Sequence, residues 1–526
     1  MTRRLLLALA VGLSLLPLAC GGGSSRGGGF TAAPATTGST TSGSNVATIE
    51  SLRLPGAVTA AGITSGDVPV VYAVAHPQGA PVDVEVSFSQ DGGATWSIAT
   101  PASGSVATSG LATAPAPGVE YVFTWASARD VPGFAADVRL RVAIAPGGAG
   151  LESPSFAVDN QVLATSPALN RWPYLNMPVA GEMVLAWRTE TDSDSVIEWG
   201  PTPALGRTAG SPQARTQEHW VTLTGLQPAT RYWYRVLAAG LPITPRASFA
   251  TPPAPGADVR FLVVGDSGMG NPEQFAIADL MAREPADFLL HTGDIVYPAG
   301  GFPLAVGEYN RRYFEPYRQI VGRIPAFPVV GNHDLYGLLG QPYKDTFAMP
   351  SNGGGLFEEL YFSFEWGDTK FIALETNTLF QLLSFGPHVT WLENELRTNR
   401  RKWLIVYMHT PLYSCGDHGD NAALQRLLEP LFEQNHVDLV LCGHDHDYER
   451  TLPIKQYNQD PAYPGLVHVI TGGGGAALRA VHPNARTAVS AVAHHYLRIA
   501  IQGDWLTGEA VDIGGQVIDS FRVRDQ

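Results

Sequence analysis

Five short segments in the second half of the chain carry side chains that could bind metal ions. They are GDSG with Asp266, GDIVY with Asp294 and Tyr297, GNHD with Asn332 and His333, VYMH with His409, and GHDH with His444 and His446. Carboxylates, an amide oxygen, a phenol and imidazoles together offer more donors than one tetrahedral ion uses. Two ions that share a carboxylate would use about seven protein ligands, and such a pair stabilises both the attacking and the leaving oxygen in phosphoryl transfer.

Each of these segments directly follows an apolar run, namely FLVV, FLLH, FPVV, WLIV or DLVLC. Such runs are typical of buried strands. Helical patterns lie between them, and one has leucines at positions i, i+3, i+4 and i+7: Leu424, Leu427, Leu428 and Leu431. Pro430 within this pattern should kink or shorten the helix. The alternation over residues 256–526 predicts an α/β domain in which the five polar segments meet at one sheet edge.

Two β-rich regions precede this domain. In residues 47–160, the segment VDVEVSFS alternates valines and Phe88 with polar residues, which predicts a half-buried strand. Several short strands with Gly- and Pro-rich connections favour an immunoglobulin-like β-sandwich. In residues 161–255, LQPATRYWYRV resembles the end of a fibronectin type III domain. The predicted fold class is therefore an α/β catalytic domain preceded by two all-β sandwich domains.

The charge balance argues against nucleic acid as a partner. The chain has 34 Lys and Arg against 48 Asp and Glu, a net charge of −14, and no Lys/Arg-rich block. An acidic surface does not by itself attract anionic substrates. A site for anions must therefore be built locally, for instance from metal ions.

The amino terminus, MTRRLLLALAVGLSLLPLAC, pairs two arginines with an apolar stretch too short to span a membrane. We interpret residues 1–20 as an export signal and the Gly/Ser/Thr-rich residues 21–46 as a flexible linker. The signal resembles that of a bacterial lipoprotein, with Cys20 as the lipidated residue and Pro17 as a departure from the usual pattern. Membrane attachment would then be by this lipid alone, and plain secretion is the alternative. The oligomeric state is not predicted.

The five segments resemble the pattern GDxG, GDxxY, GNH(D/E), VxxH, GHxH of the calcineurin-like metallophosphoesterases, and within them the purple acid phosphatases. The resemblance covers about residues 165–526. Two residues narrow it to the purple subgroup: Tyr297, and Gly268, which stands where many other superfamily members carry a ligand histidine. It implies a β-sandwich flanked by helices with the metals at one sheet edge. Fe(III) would be held by Asp266, Tyr297 and His446. A divalent Fe, Zn or Mn ion would be held by Asn332, His409 and His444, and Asp294 would bridge the two.

The same resemblance implies attack of a metal-activated hydroxide on a phosphate monoester. His333 is the first candidate to protonate the leaving alcohol, His418 the second, and Asp417 an alternative to His418. Asn332, His333 and His418 would also contact the substrate. We therefore expect an exported binuclear acid phosphatase. The alternatives are a phosphodiesterase or nucleotidase on the same scaffold, or a surface-binding protein without activity.

Three smaller features remain. Cys415 and Cys442 lie near the predicted ligands and form either a disulfide or two buried thiols. The glycine run in VITGGGGAAL lacks the Lys-Ser/Thr of a P-loop, so we expect it to let backbone pass close to the metal-bearing loops. His291, before TGD, is expected to support the site rather than bind metal.

Overall fold

The computed structural model of the chain describes residues 46–54, 63–161, 163–177, 180–297, 306–335, 340–354, 357–378 and 385–524. The predicted export signal, Cys20 and nearly all of the predicted linker lie outside the described residues. In the described part of the chain, no helix is both long enough and apolar enough to cross a membrane.

The first β-rich region contains two sheets around one core. Its strands are β1 (Thr48–Arg53), β2 (Ile63–Thr64), β3 (Asp67–Ala75), β4 (Val84–Ser89), β5 (Ser97–Ile98), β6 (Val119–Ala126), β7 (Phe134–Ile144), β8 (Gly150–Glu152) and β9 (Phe156–Asp159), with a short helix α1 (Ser127–Asp130). One sheet has the order β1-β3-β6; the other has the order β2-β9-β7-β4-β5, with β8 beside β7. Tyr72 and Trp125 from the first sheet pack with Phe88 and Leu140 from the second.

The second β-rich region forms one connected antiparallel sheet. Its strands are β10 (Leu169–Asn176), β11 (Met183–Gly200), β12 (Arg207–Leu223), β13 (Arg231–Ala238), β14 (Leu241–Pro242) and β15 (Ala247–Ala250). The long strand β11 pairs with β10, β12 and β13. Trp187 and Tyr234 belong to the same buried cluster as Phe288 of the following region, and the Tyr234 hydroxyl donates to the Gly322 carbonyl at 2.7 Å. The region therefore shares its core with the α/β part of the chain.

The α/β region contains two further sheets. The strands are β16 (Val259–Val264), β17 (Phe288–His291), β18 (Ala326–Pro328), β19 (Phe362–Trp366), β20 (Thr369–Leu374), β21 (Trp403–Met408), β22 (Leu439–Cys442), β23 (Tyr448–Thr451), β24 (Val467–Thr471), β25 (Thr487–Ala491), β26 (His495–Gln502), β27 (Trp505–Asp512) and β28 (Val517–Arg524). The first sheet has the order β18-β17-β16-β26-β27-β28, and the second the order β19-β20-β21-β22-β24-β23-β25. Phe261 and Phe288 of the first sheet pack on Phe371 of the second, so the sheets share a core.

Helices flank these sheets. They are α2 (Pro272–Met281), α3 (Val306–Tyr309), α4 (Arg318–Val321), α5 (Gln341–Lys344), α6 (Pro387–Arg397) and α7 (Ala422–Gln434), with a π-helical turn at Asn310–Phe314. Of the two outcomes predicted for Pro430, a kink or a shorter helix, the structure does not show the second, because α7 continues past it to Gln434. Leu424, Leu428 and Phe432 are fully buried on both sides of the proline, and their packing outweighs the lost backbone hydrogen bond.

Candidate metal centre

The polar segments stand at the carboxyl ends of neighbouring strands. β16, β17 and β18 run parallel in one sheet and end at Val264, His291 and Pro328. β21 and β22 run parallel in the other and end at Met408 and Cys442. Since parallel strands bring their carboxyl ends to one edge, the loops that follow converge there.

The loops adopt backbone conformations that most residues avoid. Asp266, Asp294 and His444 have φ angles of +55°, +52° and +73°, in the left-handed region that is costly for residues other than glycine. Packing around them is tight, since a Cβ added at Gly331 would lie 2.0 Å from Asp294 Oδ1. Strained backbone that holds acidic and imidazole side chains inward is typical of a functional site.

Asp266, Tyr297 and His446 bring three donor atoms together. The Tyr297 hydroxyl lies 3.2 Å from Asp266 Oδ1 and 3.1 Å from His446 Nε2. His446 Nε2 lies 3.6 Å from Asp266 Oδ1. The other ring nitrogen of His446 lies 2.8 Å from the Ala477 carbonyl, which orients the imidazole with Nε2 toward the group. These are the residues that the sequence assigned to one metal ion.

Asn332, His409 and His444 form a second group of the same kind. His409 Nε2 and His444 Nδ1 lie 3.0 and 3.1 Å from Asn332 Oδ1 and 3.2 Å from each other. His409 Nδ1 lies 2.9 Å from the Thr292 carbonyl, which directs Nε2 inward. This group contains the residues that the sequence assigned to the second ion.

Asp294 lies between the two groups. Its Oδ1 is 3.5 Å from His409 Nε2, and burial together with the nearby Asp294 carboxylate raises the pKa of the Tyr297 phenol well above its usual value. Asp266, Asp294 and His409 each offer a ligand atom within 4.8 Å of the others. The structure thus places all seven predicted ligands at one site, with Asp294 in the position that a bridging carboxylate would take.

The electrostatics of the site call for cations. Burial and the facing Asp294 carboxylate raise the pKa of Asp266 well above its usual value, and burial also raises the pKa of Asp294. Burial lowers the pKa values of His409, His444 and His446 to about 3, 2 and 4, so these imidazoles are neutral and able to bind metal. Two buried carboxylates that face neutral imidazoles fit a pair of cations, because bound cations would offset the repulsion between the carboxylates.

Gly268 has no space for a side chain. A Cβ at this position would lie 2.3 Å from the Ile295 carbonyl oxygen and 2.4 Å from Val296 Cα. The ligand histidine that many members of the wider superfamily carry there is therefore sterically excluded in this chain. The neighbouring loop instead brings Tyr297 to the site.

Asp334 of the GNHD segment supports the site without joining it. Its carboxylate is fully buried and accepts hydrogen bonds from the N–H groups of Gly331, Ile295 and Val296. Burial and the nearby Asp294 raise its pKa to about 8. Asp334 therefore ties the loop after β17 to the loop after β18. Buried His291 is placed as expected, with its Nε2 2.8 Å from Ser267 Oγ.

The predicted proton donors lie beside the two metal-ligand groups. His333 Nε2 is 3.9 Å from Asp294 Oδ2, and its ring lies 4.6 Å from that of Tyr297. His418 stacks on His444 with ring centroids 4.0 Å apart. The alternative donor Asp417 is misplaced for this role, because its exposed carboxylate lies 3.5 Å from His482.

Two residues at the site were missed in the sequence. Asp445, between the histidines of GHDH, is fully buried and accepts from His418 Nδ1 at 2.7 Å. Its position between the two predicted ligands His444 and His446 is the sequence signal by which it could have been identified. Arg479 has its Nη1 within 2.8 Å of both ring nitrogens of His418. It follows the glycine run in an otherwise small and apolar segment, which carries no local signal.

The structure decides the state of the two cysteines and the role of the glycine run. Both Cys415 and Cys442 are free, buried thiols, so the disulfide is wrong. Cys442 packs in the apolar core behind the second sheet, whereas the Cys415 backbone N–H donates to the carboxylate of Glu449 on β23. In the glycine run, a Cβ at Gly472 would lie 1.9 Å from the Asp445 carbonyl oxygen, which confirms the expected close backbone approach.

The sequence of the chain also matches known protein families. Residues 259–448 match the family described as calcineurin-like phosphoesterase, and residues 174–251 match the purple acid phosphatase N-terminal domain. The chain is 30% identical over 395 residues to acid phosphatase type 7 of Homo sapiens. This match spans 65% of this chain and 88% of that protein.

The chain belongs to the purple acid phosphatase family.

It is also 30% identical over 292 residues to purple acid phosphatase 23 of Arabidopsis thaliana, and the match spans 49% of this chain and 62% of that protein. The fold is similar to that of the purple acid phosphatase PPD1 from yellow lupin (Lupinus luteus) seeds, with a TM-score of 0.59 at 19% identity, over 87% of this chain and 93% of that one. This purple acid phosphatase is therefore a hydrolase of the phosphatase type with a metallophosphoesterase fold. The family implies a dinuclear metal centre, and the converging donors fit one.

Proposed function

We propose that this purple acid phosphatase hydrolyses phosphate monoesters at a centre of two metal ions. The proposal rests on one observation: seven donor side chains converge as two groups of three that share Asp294. Fe(III) would be held by Asp266, Tyr297 and His446, and a divalent Fe, Zn or Mn ion by Asn332, His409 and His444. Carboxylate and phenolate oxygens suit the harder trivalent ion, and imidazoles suit a divalent one.

When bound, the two ions would neutralise phosphoryl charge and acidify a water molecule. The chain's own side chains would supply the remaining proton. Asp445 holds the His418 ring through Nδ1, and His418 would protonate the leaving alcohol from Nε2 once the phosphate takes the Arg479 guanidinium that faces this nitrogen. His333, beside Asp294, is the second candidate. We rank His418 first, the reverse of the order predicted from the sequence, because a buried carboxylate holds its ring.

Metal analysis combined with a panel of phosphate esters tests this function. We expect two metal ions per chain, turnover of monoesters, and visible absorption from a phenolate bound to Fe(III). Tyr297→Phe should abolish that absorption, and Tyr232→Phe, in the second β-rich region, is the matched control. A colourless and fully active zinc enzyme would contradict the assignment of iron.

The same panel separates the alternatives. Preferential turnover of diesters or of nucleotides would favour a phosphodiesterase or nucleotidase on this scaffold. Stoichiometric metal without turnover of any ester would instead indicate a surface-binding protein.

Export and domain identity are also part of the proposal. We propose that residues 1–20 direct export, that Cys20 carries a lipid anchor, and that nucleic acid is not a partner. Labelled palmitate should enter the wild-type protein and not Cys20→Ala, and release of both proteins into the medium would favour plain secretion. The two-sheet core of residues 47–160 supports an immunoglobulin-like domain, and the antiparallel sheet of 161–255 supports a fibronectin type III-like one.

A further inference from the structure

Arg479 places a positive charge at the edge of the candidate metal centre. Its guanidinium Nη1 lies 2.8 and 2.7 Å from the two ring nitrogens of His418, which in turn stacks on His444. A side chain held in this position would lie beside any anion bound at the centre.

The position of Arg479 is fixed from two sides. Its backbone N–H donates to the His446 carbonyl at 3.1 Å, which ties the loop to a candidate ligand. Its side chain is half-buried against His418. A cation that is already ordered loses less conformational entropy when it binds an anion.

Arg479 is not neutralised by a neighbouring acid. Within the described ranges, no carboxylate oxygen lies within 4.0 Å of its guanidinium, whereas neighbouring Arg486 pairs with Asp420 and Arg450 with Asp519. The carboxylate of Asp445, which contacts the same His418, instead accepts from His418 and from Ser414. An ordered guanidinium with donors to spare is well suited to phosphoryl oxygens, which it binds through charge-assisted hydrogen bonds.

We infer that Arg479 binds a terminal oxygen of the substrate phosphoryl group and thereby favours phosphate monoesters over diesters. This inference rests on the proposed function. A monoester dianion has three terminal oxygens and the larger charge, whereas a diester monoanion has two terminal oxygens. A cation outside the metal-ligand set therefore binds the monoester more strongly than the diester. It also binds the inorganic phosphate that hydrolysis releases.

The test compares Arg479→Gln with Arg522→Gln in the metal-loaded enzyme. Arg522 is an exposed arginine on edge strand β28 that packs over Trp505, so its replacement removes the same charge far from the donor groups. For Arg479→Gln we expect kcat/KM for aryl and alkyl monoesters to fall about 10- to 100-fold, the range of a hydrogen bond to a charged group. For a diester we expect a fall of less than about threefold. Arg479→Lys, which keeps the charge and loses the planar fork, should fall between.

A binding measurement supplies a readout that does not depend on turnover. In calorimetric titration with inorganic phosphate, Arg479→Gln should raise the Kd about 10- to 100-fold, while Arg522→Gln should leave it unchanged. An unchanged phosphate Kd, or equal losses for monoester and diester, would overturn the inference. Losses that grow as the leaving group becomes poorer would also overturn it, because Arg479 would then act through His418. Absence of turnover in the wild-type enzyme would count against the proposed function instead, and the phosphate titration would still decide the role of Arg479.

Discussion

Replacing Asp445 by asparagine should impair proton donation by His418 without removing metal. Asp445 is fully buried, and its carboxylate accepts from His418 Nδ1 at 2.7 Å, from the His418 backbone N–H at 3.2 Å and from Ser414 Oγ. Burial alone would raise the pKa of Asp445, but these hydrogen bonds outweigh burial and lower the pKa to about 2. Asp445 is therefore an anion throughout the range in which an acid phosphatase works, and it holds the His418 ring through a charge-assisted hydrogen bond.

The magnitude follows from the bond that is lost. A hydrogen bond to a charged partner contributes about 1.5–3 kcal/mol and a neutral one about 0.5–1.5 kcal/mol. Asparagine is close to isosteric and keeps a neutral bond, so the hydrogen bond that holds His418 is weakened by about 1–2 kcal/mol. Where protonation of the leaving alcohol limits the rate, this corresponds to a fall in kcat of about 5- to 30-fold.

The assay is kcat for a series of aryl and alkyl phosphates, together with metal content. Aryl esters with good leaving groups need little protonation, so only the alkyl esters should slow in Asp445→Asn. Asp417→Asn makes the same acid-to-amide change next to His418 in the chain and should leave every rate unchanged, because Asp417 faces His482. Equal loss for aryl and alkyl esters, or loss of metal, would refute the assignment of Asp445 to His418.

The remaining predictions concern three positions at the site, Asp294, His333 and Gly268, and the buried His219 on β12. Asp294→Asn should weaken binding of both metal ions and abolish turnover. His333→Ala should keep the metals and lose turnover only if His333 donates the proton. Metal content and kcat measured together distinguish the two roles. Gly268→Ala should destabilise the fold by about 1–3 kcal/mol in urea unfolding, because its Cβ would meet the backbone of the loop that carries Tyr297; an unchanged midpoint would contradict the close approach. Burial lowers the pKa of His219 from 6.5 to about 4, so the folded state favours the neutral imidazole. The free energy of unfolding is therefore highest above pH 6.5 and falls by about 3 kcal/mol as the pH drops toward 4. His219→Gln should flatten that dependence in unfolding curves recorded between pH 4 and 7.

Most of the candidate site could be predicted because each of its residues lies in a recognisable local sequence pattern. Each donor follows an apolar strand within a few residues, so its placement depends on the strand and on one short loop. The features that the sequence left open depend instead on distant packing. The end of α7 is set by the burial of Leu428 and Phe432 around Pro430, and the state of Cys415 and Cys442 is set by packing in different environments.

The sequence by itself determined the types of donor, their position at strand ends and the family to which the chain belongs. Only the tertiary structure decided which donors meet and what surrounds them. Tyr297 reaches His446 across 149 residues, and His418 reaches Arg479 across 61. Gly268 is closed to a side chain by backbone from the loop after β17. Such contacts arise from the packing of two sheets against each other, and no local pattern of residues encodes the distance between atoms on separate strands.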